Sequence, residues 1–392
     1  MPWRECRTMD ERARFIRDWE RDDLSFTELC EHYGISRTVG YKWVARYESA
    51  GLDGLRDQSR RPHSSPTRTA PEVVEQIVAV RQKHPTWGGR KIHGFLERHG
   101  AAALPGASTI DELLHRLGLT RTRPRRRRPG HPGKPAIVAQ APNDLWTADF
   151  KGQFRLRPGP YCYPLTVADQ FSRYLLACAG RASTAHAGVQ PVFEQLFRDY
   201  GLPAAIRTDN GPPFASTGLA RLSMLSVWWI KLGVHPELIE PASPQQNGTH
   251  ERMHRTLKAE ATRPPAGSFA AQQRCFNRFR MTFNDERPHE ALGQRTPADL
   301  YRPSSRPYPS RLPAVEYPAH FEVRYVSHNN GIWWKRRWVN VSSVLAGEYV
   351  GLEEIDDGIW ALYFANYLLA RLNERTQRLE ELATGASRRL ET

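Results

Sequence analysis

Three acidic residues stand in settings suited to holding cations. Asp149 lies in the strand-like WTADF, flanked by hydrophobic residues; Asp209 follows the apolar start of IRTDNG, where the chain turns; Glu251 falls in the first turns of a helix after SPQQNG. Carboxylates at strand ends and at a helix start can converge on one edge of a sheet although they are distant in sequence. Such a cluster repels itself unless cations occupy it. Two Mg²⁺ ions, with Mn²⁺ as a substitute, suit a set of carboxylate oxygens. One ion would activate an attacking oxygen and the other would stabilise the leaving oxygen of a phosphodiester. Taken singly, each acid says little. An Asp at a strand end is more often a turn former, and a Glu near a helix start more often a solvated charge that suits the helix dipole.

The residues around Glu251 carry more information. Asn247, Glu251, Arg255 and Lys258 follow a helical repeat and share one face, with His254 at its border. A carboxylate bordered by cations and an amide suits a site that binds both metal and phosphate, so Asn247, His254, Arg255 and Lys258 are candidate DNA contacts. A surface Glu–Arg pair would explain neither Lys258 nor the preceding SPQQNG.

The elements that must position these residues follow from patterning. Residues 1–55 read as a helical unit in which TELCEHYGISRTVGYKWVARY makes a short helix, a turn at Gly34 and a second helix capped by Ser36. Leu29, Ile35, Val39, Trp43 and Val44 form its apolar face. Arg37, Thr38, Tyr41 and Lys42 lie near the start of the second helix, the part that enters a major groove in helix-turn-helix proteins. An ordinary helical hairpin would share the pattern. A Pro/Ser/Arg-rich linker, 56–70, leads to a second helical unit, 71–120. Its last helix, 108–119, is expected to be capped by Ser108, to bury Ile110, Leu113, Leu114 and Leu117, and to present Ser108 and Thr109 to DNA. The linker 121–140 carries Arg121, Arg123, Arg125, Arg126, Arg127 and Arg128 among prolines. It reads as an arm along phosphates or within a minor groove, or else as a solvated linker.

From 141 to 302 strand and helix signals alternate as in a mixed α/β domain. Two antiparallel stretches (143–154 and 161–180) precede a helix ending at Gly201, a short buried strand, one helix over GLARLSMLSVWWIKLG, another strand, and the helix of Glu251. Residues 315–368 read as several short strands of a small β-barrel, with hairpin turns at His328–Gly331 and Asp356–Gly358. Residues 369–392 read as a polar tail.

Bulk composition agrees. The 392 residues carry 56 Lys and Arg against 42 Asp and Glu, a net charge of +14, which favours an anionic partner, above all nucleic acid. Five widely spaced cysteines show no C-x-x-C pair, so neither a zinc ribbon nor a disulfide framework is indicated. No signal peptide and no membrane span is legible. The expectation is a cytoplasmic protein with no membrane partner.

LWTADF, IRTDNGPPF and SPQQNGTHERMHRTLKAE together resemble the catalytic core of the retroviral-integrase superfamily, particularly the transposases of bacterial insertion sequences. The match runs to PHEALGQRTPADLY (288–301) and covers about 140–302. The resemblance implies a ribonuclease-H-like fold between N-terminal helix-turn-helix units and a C-terminal small β-barrel. It makes Asp149, Asp209 and Glu251 the metal-binding acids, with Asn247 and Lys258 at polar positions that face DNA in relatives. It further implies a bacterial, nucleoid-associated enzyme that is at least a dimer on double-stranded DNA, both transposon ends and target. Two departures stand out: no His/Cys zinc module is present, and the interval from Asp209 to Glu251 is longer than is common, the extra length falling in the GLARLSMLSVWWIKLG region. A ribonuclease-H-like nuclease that only cuts, and a DNA-binding regulator with a vestigial core, remain as alternatives.

Overall fold

Two serines start two of the three helices in the N-terminal unit. The computed structural model describes residues 8–59, 68–120, 138–239 and 248–381, and the chain divides into units Met1–Arg68 and Thr69–Thr392. The first contains α1 (Thr8–Arg21), α2 (Phe26–His32) and α3 (Arg37–Gly54). Ser25 and Glu28 form a reciprocal capping box at α2, and the Ser36 hydroxyl accepts from the Val39 N–H at α3. Gly34, at φ 63°, makes the turn between them. Phe15, Ile16, Leu29, Cys30, Val44 and Leu55 are the core. Val39, expected inside, is exposed. The closest approach of α3 to α2 is instead at Gly40, where an added Cβ would collide with Cys30 and Phe26, and this turns Val39 outward.

The second unit opens with α4 (Pro71–Lys83), α5 (Gly89–Arg98) and α6 (Ala107–Arg116), packed around Ile77, Trp87, Ile92, Ile110 and Leu114. Ser108 is not the cap of α6. The helix starts at Ala107 with Gly106 at the cap position, fixed by α5, whose Gly89 N–H donates to Asp111 at 2.6 Å. Leu117, placed in the buried stripe by its spacing, lies beyond the last helical turn and is exposed.

The central α/β domain is built on β1 (Leu145–Phe150), β2 (Phe154–Arg155), β3 (Tyr161–Asp169), β4 (Leu175–Arg181), β5 (Ala205–Thr208) and β6 (His235–Leu238). β4, β3 and β1 pair antiparallel, whereas β1, β5 and β6 pair parallel, with β2 on the start of β3. This mixed order is ribonuclease-H-like. The sheet separates two apolar layers. Trp146 and Ala148 point to α7 (His186–Tyr200) and α8 (Met224–Lys231), in a core with Phe193, Phe197 and Trp229. The other face meets α9 (Gly248–Ala261) and α10 (Phe269–Met281) through Met253, Leu257 and Phe276.

One helix was expected over 218–233, but α8 is only eight residues long. A 3-10 turn at Leu219–Arg221 precedes it, Ala220 and Arg221 take positive φ, and Ser223 caps the new helix. α8 is apolar nearly all round because it serves two cores. Leu225, Trp229 and Leu232 face the sheet, whereas Val227 and Ile230 pack into the C-terminal unit.

That C-terminal unit is all-β. β7 (Glu322–Tyr325), β10 (Tyr349–Asp356), β11 (Ile359–Phe364), β12 (Tyr367–Asn373) and β13 (Arg378–Glu381) form an antiparallel sheet in the order β13-β12-β11-β10-β7. β8 (Gly331–Trp334) and β9 (Arg337–Asn340) make a separate hairpin sharing the same core. Asp356–Gly358 turns β10 into β11 as expected. His328–Gly331 does not join paired strands. It links the two sheets, and the Asn330 carbonyl accepts from the Val341 and Ser342 N–H groups beyond β9. Residues 369–381, expected to be polar tail, complete β12 and form β13, with Leu369 and Leu372 fully buried.

Candidate active site and DNA-facing surfaces

The alternation of β1 decides where Asp149 points. With Trp146 and Ala148 committed to the α7 layer, Thr147 and Asp149 face the α9 side. Asp149 is paired in register with Thr166 on β3. Asp209 follows β5 at once, in a turn closed by the Gly211 N–H donating to its carboxylate at 3.3 Å. That turn is anchored beneath by buried Arg207, which pairs with Glu237 of β6, and beside by the Asn210 amide donating to the Ile239 carbonyl at 2.9 Å. Glu251 is exposed in the first turn of α9.

Asp149 lies within the field of the two other acids. The Asp149 carboxyl is pushed up to about 7, first by burial, then by the charge of Asp209 and, to a smaller extent, of Glu251. Burial also raises Asp209, against the stabilising Gly211 N–H. Among the described residues no three His, Cys, Asp or Glu side chains gather tightly enough to hold a metal ion. The acids are related here through electrostatics rather than contact.

Beneath them runs a buried polar chain that spacing arguments missed. Thr166 Oγ1 lies 2.6 Å from His250 Nε2, 2.7 Å from His254 Nε2 and 3.0 Å from the Asp149 carbonyl, and Thr147 Oγ1 lies 2.9 Å from His250 Nδ1. One proton assignment satisfies the cluster. The Thr166 hydroxyl donates to the Asp149 carbonyl and accepts from both Nε2–H groups, and Thr147 donates to His250 Nδ1 at 2.9 Å in preference to the Ala168 carbonyl at 3.3 Å. Both imidazoles are neutral: burial lowers His254 to about 3 and His250 well below its usual value. The 3.7 Å approach of His254 Nδ1 to the Asp149 carboxylate is therefore no ion pair. His254 was expected at a DNA surface. It is buried, because positions 250, 254, 257 and 261 form the inward stripe of α9. The available signal was the four-residue spacing of His250 and His254, together with the alternation of Thr147 and Asp149.

Arg255 and Lys258 are exposed on α9, as expected of DNA-facing residues. Lys258 lines a cleft of about 500 Å³ with Lys151, Gln153, Phe154 and Arg263, a basic channel beginning two residues past Asp149. In the N-terminal unit Arg37, Thr38, Tyr41 and Lys42 are all exposed at the start of α3, with Tyr41 stacked on Phe26 at 4.1 Å. Ser108 and Thr109 are exposed in the first turn of α6. Asn247 and the arginines 121, 123 and 125–128 lie outside the described residues. No helix among the described residues is long and apolar enough to cross a membrane.

Comparison with known proteins bears on the same segments. Profiles of the integrase core domain match residues 139–244 and 232–297, a helix-turn-helix domain profile matches 11–63, and a homeodomain-like profile matches 39–114. The chain is 27% identical over 268 residues to an uncharacterized 39.2 kDa protein of insertion element IS476 from Xanthomonas euvesicatoria, covering 68% of this chain and 75% of that one. It is 26% identical over 284 residues to an uncharacterized 31.7 kDa protein of insertion element IS407 from Burkholderia multivorans, covering 72% and 92%. The Gag-Pol polyprotein of baboon endogenous virus is 30% identical over 204 residues, 48% of this chain and 11% of the polyprotein. The chain thus carries an integrase core domain behind helix-turn-helix domains, and its insertion-element relatives support a bacterial insertion-sequence transposase of the retroviral-integrase superfamily.

Proposed function

We propose that this transposase hydrolyses a phosphodiester at each transposon end and joins the freed 3′-hydroxyl to target DNA, using Asp149, Asp209 and Glu251. The observation that carries the reading is the setting of Asp149: a largely buried carboxyl at a strand end, raised first by burial and then by the charges of Asp209 and Glu251. Three carboxylates offer only hard oxygen donors, a set that fits Mg²⁺. Bound by these acids, two ions would supply activation of the attacking oxygen and charge stabilisation at the leaving one.

The chain's own residues do the rest. Thr166, His250 and His254 hold α9 against β1 and so set Glu251 relative to Asp149. Lys151, Lys258 and Arg263 provide positive charge for the strand beside the acids. Hydrolysis leaves a 3′-hydroxyl, which attacks a target phosphorus in line and displaces a target 3′-oxygen. One phosphodiester forms as one breaks, so no nucleotide energy source is needed. The exposed starts of α3 and α6 supply readers for transposon-end DNA. Joining two ends calls for at least a dimer on DNA.

The test is a strand-transfer assay with a labelled transposon end and unlabelled target DNA in Mg²⁺. A joined product is expected. Cutting without joining would make the chain a nuclease, and binding without cutting a regulator.

A further inference from the structure

The other flank of α9, turned away from Glu251, lines a separate cavity of about 220 Å³. Four cations from four segments meet there: Lys91 of α5, Arg173 of the β3–β4 turn, Arg252 of α9, and Arg287 beyond α10. Only two carboxylates, Asp169 and Glu290, share the lining, which leaves a formal excess of two positive charges. Both carboxylates are engaged elsewhere. Asp169 accepts from Ser172 and from the Asn143 N–H, and Glu290 pairs with Arg90. His289, also in the lining, is held neutral by burial, its pKa lowered to about 4.

Two of the four cations have commitments: Arg287 pairs with Glu260 at 2.9 Å, and Arg173 donates to Thr249 at 3.0 Å. The side chains of Lys91 and Arg252 make no hydrogen bond or ion pair with any described residue. Burial lowers both Lys91 and Arg173 and the neighbouring guanidinium groups lower them further, partly offset by Glu290 and Glu260 at Lys91 and by Asp169 at Arg173. Gathering like charges in a partly dry cavity is costly unless an anion completes the site, the mirror image of the acidic cluster across the helix.

We propose that this cavity seats a backbone phosphate of the bound DNA, held by Lys91 and Arg252 with Arg173 and Arg287 behind them. The assignment rests on the transposase reading above and adds a residue-level contact to it. Its place in the fold favours DNA over a free small anion. Lys91 belongs to the second helical domain, which is fastened to the core at this edge by the pairs Lys83–Glu286, Arg90–Glu290 and Arg98–Asp299. Arg252 is exposed and adjoins Glu251 in the chain. A phosphate here would fix the register between the DNA read by the helical domain and the strand presented to the acids.

The test measures binding of a labelled random-sequence duplex to the full chain across a salt series, since backbone contacts carry no sequence. Asp149→Asn is present throughout, so that cutting does not interfere. Lys91→Ala with Arg252→Ala should weaken binding by about tenfold and flatten the slope of log affinity against log salt by about 0.9 for each phosphate left without its cation. Thermal melting should not fall, because neither side chain makes a hydrogen bond or ion pair with a described residue and the neighbouring guanidinium groups repel Lys91. Lys91→Arg with Arg252→Lys should restore most of the affinity. An unchanged affinity and slope in the double alanine variant would overturn the proposal. So would a wild-type melting point raised by inorganic phosphate through Lys91 and Arg252 without any effect of the variants on DNA, which would make this a small-anion pocket. The two readings fail separately: normal cutting by single acid variants would remove the proposed chemistry yet leave this binding result standing.

Discussion

Thr166 Oγ1 sits 2.7 Å from His254 Nε2, and this contact ties strand β3 to the helix that carries Glu251. The same hydroxyl donates to the carbonyl of Asp149, so one side chain fixes both a strand acid and the helix acid. Thr166→Val keeps the shape but removes the hydroxyl, leaving two imidazole N–H groups unsatisfied in the interior. The expected cost is about 1–3 kcal/mol of stability, with a fall in cleavage larger than the drop in folded fraction accounts for. Thr166→Ser should recover most of both. Melting curves and single-turnover cleavage check this. A Val variant that cuts at the normal rate would show that the chain beneath the acids is structural only.

Lys258 lies on the exposed side of α9, in the cleft that also holds Lys151 and Arg263. Lys258→Ala should lower strand transfer by about tenfold, a loss on the scale of one charge-assisted phosphate contact, while leaving melting unchanged. Lys258→Arg should restore part of the activity, and Lys258→Glu should be worse than Ala, since it places repulsion beside the strand. Crosslinking a cysteine variant at 258 to end-modified DNA gives a second readout. Crosslinks only at distant positions, with normal transfer by Lys258→Ala, would remove the residue from the site.

Arg37 and Lys42 are exposed in the first turns of α3. Replacing either with Ala should weaken binding to transposon-end DNA by about tenfold, as expected when a base edge loses its reader, and affect random duplex less. Competition binding with both DNAs separates the two. Equal losses on both would assign these residues to the backbone.

Much of this was legible in the sequence because short-range physics specifies it. Ser36 caps α3, Gly201 ends α7 and Asp356–Gly358 closes a hairpin, each through contacts made within a few residues. What stayed hidden depends on partners distant in the chain. Val39 faces solvent because Gly40 packs on α2. The apolar 218–233 segment resembles one long helix because burial on both sides removes the periodicity that would mark a boundary; α8 meets the sheet with one face and the C-terminal unit with the other. Leu369 and Leu372 read as tail because their neighbours are polar, yet strand pairing buries them. In the site, the acids are visible as residue types in particular settings. Nearness to Glu251 suggests the outer face for His254, although the inward stripe runs through it.

In the proposed reaction Asp149, Asp209 and Glu251 act together on DNA. The most direct measurement is cleavage of a labelled transposon end in Mg²⁺ by Asp149→Asn, Asp209→Asn and Glu251→Gln, each alongside a binding assay with the same DNA. Each substitution keeps the side chain's size and removes its charge. Cleavage should be abolished in all three while DNA binding persists. Near-normal cleavage by any one of them would contradict the account and remove that residue from the site.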